Sequence, residues 1–91
     1  MEKFKNAGKS LRAEAKVMVR QFMEQHELCA PNSSGLKQAE IFRECGLDWS
    51  NKPKATSSNQ QYWLVALLKE LEEEGVVEQV NESGPWRLLA K

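Results

Sequence analysis

Residues Ser57 to Lys91 read SSNQQYWLVALLKELEEEGVVEQVNESGPWRLLAK, a stretch whose apolar spacing predicts one long helix, a glycine stop and a small β-hairpin. Leu64, Leu67, Leu68 and Leu71 fall at the i, i+3, i+4 and i+7 positions of a single helix face. Gly75 follows as the natural residue to end that helix, which is expected from about Ser58 to Glu74. Val76 to Val80 and Pro85 to Leu89 are two β-prone runs around the turn Asn81-Glu82-Ser83-Gly84. Trp86 and Leu88 alternate onto one side of the hairpin and are expected to close a core over the leucines.

A chain of 91 residues, 41% apolar and 29% charged, has room for one small globular domain. No apolar run approaches the ~18 residues of a spanning helix, and Met1-Glu2-Lys3-Phe4-Lys5 leads into no hydrophobic signal region. The expected location is the cytoplasm, away from membranes, and Cys29 and Cys45 are read as free thiols. Net charge is zero, whereas nucleic-acid-binding domains are usually basic. The charge is unevenly spread, however. Lys3, Lys5, Lys9, Arg12, Lys16 and Arg20 face only Glu2 and Glu14 in the first twenty residues, while glutamates dominate from Glu70 onward.

Residues 1–9 are polar and basic with Gly8 among them, and read as a mobile arm; residues 10–91 form the single expected domain. From a Ser10 cap, Leu11, Ala15, Met18 and Phe22 make one stripe, widened by Val19 and Met23, of a helix expected over Leu11 to Gln25. Arg12, Lys16 and Arg20 recur every fourth residue on the other face, either as a solvated surface or as a phosphate-facing ridge. The apolar surface of this helix, with Val17 outside the stripe, is wider than one small domain covers and suggests a homodimer. His26 to Gly35 is a loop. His26-x-x-Cys29 with Cys45 falls short of the four paired ligands of a structural zinc site, so neither metal nor cofactor is expected.

Leu36 to Leu47 reads as a second short helix, capped by Ser34 or Gly35 and stopped by Gly46. Its Gln38-Ala39-Glu40-Ile41, followed by Gly46-Leu47, resembles the second helix of many helix-turn-helix proteins. The connection to the leucine helix is long, the ten residues Asp48 to Ser57, where such proteins use roughly three or four. It carries Lys52-Pro53-Lys54, with Trp49 as a packing plug, and runs into a helix start rich in hydroxyl and amide groups, which suits a phosphate.

From Leu36 to Leu89 the order helix, helix, hairpin, with Gly84-Pro85-Trp86-Arg87-Leu88 in the last strand, resembles the winged helix-turn-helix superfamily. Within it, the Gly-aromatic-x-Leu closing strand after Gly75-Val76-Val77 is similar to the N-terminal winged helices of Mrr-type restriction proteins and HARE-type modules. The resemblance implies an α+β fold of three helices and a C-terminal two-stranded wing, and a module that binds double-stranded DNA through its third helix. Pro85-Trp86 is also similar to the wing of Z-DNA-binding domains, but Val65 and Lys69 stand where that family has Asn and Tyr, which argues against it.

Base edges in a major groove are read by polar side chains at the start of the third helix, and phosphates by cations beside it. Lys52, Lys54, Ser57, Ser58, Asn59, Gln61 and Tyr62 answer both needs, with Lys37 on the second helix and Arg87 on the hairpin as flanking clamps. Against this stand the acidic helix end, Glu70 to Glu74, and the acidic turn at Glu82. No set of residues for catalysis can be assembled around the lone His26, so no enzyme is expected. The competing reading is a protein-interaction module using the apolar side of the third helix, around Tyr62, Trp63, Val65 and Ala66, or of the first helix.

Overall fold

The computed structural model describes residues 1–47, 58–82 and 84–90, and of residues 58–62 the backbone alone. Helix α1 spans Glu2–Gln25, a 3-10 turn Glu27–Cys29, α2 Gln38–Glu44 and α3 Ser58–Glu73. Strands β1 (Val77–Gln79) and β2 (Trp86–Leu88) pair antiparallel, Val77 opposite Leu88 and Gln79 opposite Trp86. This is a small α+β fold of three helices and a C-terminal two-stranded sheet. The expected connection residues Lys52, Lys54 and Trp49 lie outside the described residues.

The leucine face of α3 organises the packing. Leu64, Leu67, Leu68 and Leu71 are all buried, against Val19 and Met23 of α1, Ile41 and Phe42 of α2, and Val77 and Trp86 of the hairpin. Burying one such aliphatic side chain favours the fold by about 1.5–3 kcal/mol. Phe22, expected in the same core, packs at its edge. After α3 the chain turns as its sequence indicates. Val76 N–H reaches the Leu71 carbonyl at 2.9 Å and Gly75 N–H the Glu72 carbonyl at 3.0 Å. These two bonds satisfy carbonyls left over at the helix end, and they require the positive φ of 77° that Gly75 adopts.

Three features differ from the sequence expectation. The basic arm, residues 1–9, is helical, and α1 begins at Glu2 rather than near Leu11. The segment contains no proline, a single glycine costs a helix only about 1 kcal/mol, and Glu2 in the first turn complements the helix dipole. The inward stripe of α1 is also rotated. Val19 and Met23 are fully buried and Ala15 and Phe22 partly so, while Leu11 and Met18 face outward.

The third difference is at Leu36, which does not begin α2. Its N–H donates to the Trp86 carbonyl (2.9 Å) and its carbonyl accepts from Trp86 N–H (2.8 Å), an antiparallel bridge that gives β2 a second neighbour. The helix therefore starts two residues later with Lys37, not Ser34 or Gly35, at its cap. Gly35 makes the approach work. A Cβ there would stand 3.0 Å from Pro85 Cβ and from Val80 Cγ2, and φ is +88°, so any side chain is both crowded and strained.

Candidate nucleic-acid interface

α3 has two flanks with opposite chemistry. On one flank it faces α1. Arg12 Nε lies 3.5 Å from Glu70, and Lys16 Nζ donates to Glu70 at 3.1 Å and to Glu74. Hydrogen bonds to Glu74 and then Glu70 hold the Lys16 ammonium above its ordinary pKa of 10.5. Arg20 pairs along its own helix with Glu24 at 3.5 Å. The basic ridge, expected as either a solvated surface or a phosphate-facing one, is thus engaged with carboxylates. The same pairs explain why α3 ends acidic, since Glu70 and Glu74 stand one helical turn apart opposite Arg12 and Lys16, also one turn apart.

On the other flank, the start of α2, the outward side of α3 and the hairpin enclose an open groove of about 470 Å³. Lys37 and Gln38 come from α2, Val65 and Lys69 from α3, and Gln79, Glu82, Pro85 and Trp86 from the hairpin. Lys37 is exposed and makes no ion pair among the described residues. Lys69 sits 6.0 Å from the centre of the Trp86 ring and 4.0 Å from Glu72, its side chain mostly in solvent. Gln79 Nε2 donates to the Gly84 carbonyl at 2.9 Å, which ties the hairpin turn to its first strand. Trp86 itself is buried, and its indole N–H has no hydrogen-bond partner among the described residues. Two lysines that share a groove with Pro85 and Trp86 can attract an anion, and Glu82 in the same lining opposes one.

The expected site residues fare unequally. Lys37 lines the groove. Lys52, Lys54 and Ser57 lie outside the described residues, and Ser58, Asn59, Gln61 and Tyr62 form the first turns of α3. Arg87, read as a clamp, is half-buried and bonded within the protein. Its Nε is 2.7 Å from Glu78, directly across the hairpin, and its Nη1 donates to the Ser33 carbonyl at 2.7 Å. Those bonds tie the hairpin to the loop before α2. The signal was available, because Glu78 and Arg87 sit symmetrically about the turn and opposite charges favour such pairing. Lys69, placed by periodicity on the outer side but not counted in the site, joins it because the hairpin folds back beside α3.

His26 serves its own turn, where its Nδ1 accepts from Leu28 N–H at 3.2 Å and its ring lies 5.5 Å from that of Phe22. Burial pushes the thiols of Cys29 and Cys45 up to about 11, which keeps both protonated near neutral pH. Comparison of the chain with protein-family models, curated proteins and solved structures finds no match.

Proposed function

We propose that the chain is a winged-helix module that binds double-stranded DNA, as a small regulator or the accessory binding part of a larger machine, without catalysis of its own. The observation that carries this reading is the division of charge across α3. Glu70 and Glu74, which would repel a phosphate backbone, are turned toward α1 and neutralised by Arg12 and Lys16. The opposite flank presents Lys69 beside Lys37 in an open groove. The layout also supports it: the bridge from Leu36 to Trp86 sets the start of α2 against the hairpin, so both border the exposed side of α3.

In this reading the first two turns of α3, with Asn59, Gln61 and Tyr62, enter the major groove, while Lys37, Lys69, Lys52 and Lys54 meet phosphates on either side. The test is fluorescence anisotropy of a labelled random-sequence duplex at low salt. Binding is expected, and reversing Lys37 and Lys69 to Glu together should weaken it at least ~10-fold on every sequence. Asn59→Ala or Gln61→Ala should change sequence preference more than overall affinity. A wild-type chain that binds no duplex at low salt ends this reading.

A further inference from the structure

α1 is 24 residues long, roughly 36 Å, yet its buried residues begin only at Val19, and residues 1–14 are exposed throughout. That bare half is not uniformly polar. Phe4, Gly8, Leu11, Ala15 and Met18 follow one another at alternating spacings of four and three, the heptad rhythm of a helix seam. Phe4 is 64% exposed, Leu11 67% and Met18 37%. Beside the seam runs an apolar groove of about 310 Å³ between α1 and α3, lined by Leu11, Arg12, Ala15, Trp63, Ala66 and Leu67, with Trp63 38% exposed.

We infer that this seam and groove receive the N-terminal half of α1 from a second copy of the chain, in an antiparallel two-fold pair. Side-chain size favours that direction. Antiparallel, Phe4 meets Ala15 of the second copy and Leu11 meets its Gly8, large against small at each level. A parallel pair would set Phe4 on Phe4 and Gly8 on Gly8, leaving gaps between crowded layers. Gly8 suits the receiving role, since nothing lies within 4 Å of where a Cβ would stand.

Charge selects the same arrangement. Lys3, Lys5 and Lys9 are exposed and make no ion pair among the described residues, and neither does the exposed Glu73. In this register antiparallel pairing carries the basic half alongside residues Ser10 to Lys16 of the other copy, with Lys5 opposite its Glu14 and Lys3 at the level where its Lys16 is held by Glu70 and Glu74 of α3. The parallel alternative brings the lysines together. Phe4, Leu11, Met18 and Trp63 expose on the order of 400 Å² per copy, which with flanking lysine stems reaches the lower range of specific interfaces, so the pair is weak and concentration-dependent. Val65 and Lys69 line the opposite flank of α3, and the pairing leaves their groove open.

Sedimentation equilibrium of the full chain without DNA, from about 1 μM to about 1 mM, brackets the affinity of such an interface. A monomer–dimer equilibrium is expected, with Leu11→Asp raising the dissociation constant at least ~10-fold while circular dichroism stays unchanged. Gly8→Leu should do the same although it raises helix propensity, an effect no loss of folding imitates. Glu73→Lys should weaken the pair less, and reduce its sensitivity to salt. A chain monomeric throughout, or a dimer indifferent to both Leu11→Asp and Gly8→Leu, overturns the inference. Because no nucleic acid is present, neither result bears on duplex binding.

Discussion

The two flanks of α3 carry similar numbers of charges and use them differently. Toward α1, Arg12 and Lys16 close on Glu70 and Glu74, and each cation has a carboxylate within reach. Toward the hairpin, Lys37 and Lys69 line one groove with Pro85 and Trp86, Lys69 lies over the Trp86 ring, and the ion pair nearby among the described residues is the 4.0 Å approach of Lys69 to Glu72. Zero net charge therefore conceals a neutralised inner flank and an outer one still able to attract an anion. Composition weakens a nucleic-acid reading only if charge is averaged over the surface.

Both flanks hang on the leucine face beneath them, so the largest expected effect comes from Leu68→Ala. Fully buried, Leu68 should cost about 2–5 kcal/mol when truncated, measured by urea unfolding, with duplex binding and dimer formation lost together. A loss under ~1 kcal/mol at that position contradicts a core built on this face.

Gly35→Ala should come next, at about 1–3 kcal/mol. A Cβ there is crowded by Pro85 and Val80 and by the Trp86 carbonyl at 3.2 Å, so the hairpin must move from α2. The outer groove is then disturbed and the inner flank spared. Chemical shifts that change around Lys37 and Trp86 but not around Arg12 and Glu70 would sharpen the distinction; changes spread equally would dissolve it.

A smaller effect is expected at alkaline pH. Lys16 is held above its ordinary pKa, and Cys29 and Cys45 are raised to about 11. In each case the unfolded chain loses its proton first, so the stabilisation is complete below the unfolded value and disappears as pH rises through the folded one. Stability should be level up to about pH 9 and fall between there and about 11. Cys29→Ala should flatten the early part of that fall and Lys16→Met the later part. A profile unchanged in both variants would show that neither the thiol nor the ammonium is linked to folding.

Much of the fold was legible where a signal is local. The leucine spacing, Gly75 and the turn at Asn81 to Gly84 act within a few residues, and α3 and the hairpin lie where periodicity places them. What depended on distant partners was misread. The stripe of α1 came out rotated because hydrophobic spacing alone could not know that Arg12 and Lys16 answer Glu70 and Glu74. The matching one-turn spacing of the two charge pairs was the clue. Leu36 looked like a helix residue because the pairing that claims it comes from Trp86, fifty residues on. In the candidate groove, Lys37 was singled out from its place on the second helix, Lys69 needed the hairpin folded against α3, and Arg87 was assigned outward although Glu78 stood opposite it.

The division of charge across α3 is tested most directly by the salt dependence of duplex binding in three chains: wild type, Lys37→Gln and Arg12→Gln. A cation that meets a phosphate contributes close to one unit of slope in a plot of log affinity against log salt; one already paired with a carboxylate contributes nothing. The expected result is a steep wild-type slope, reduced by about one unit in Lys37→Gln and unchanged in Arg12→Gln. A slope reduced by Arg12→Gln and left intact by Lys37→Gln would put DNA on the α1 flank and contradict the proposed division.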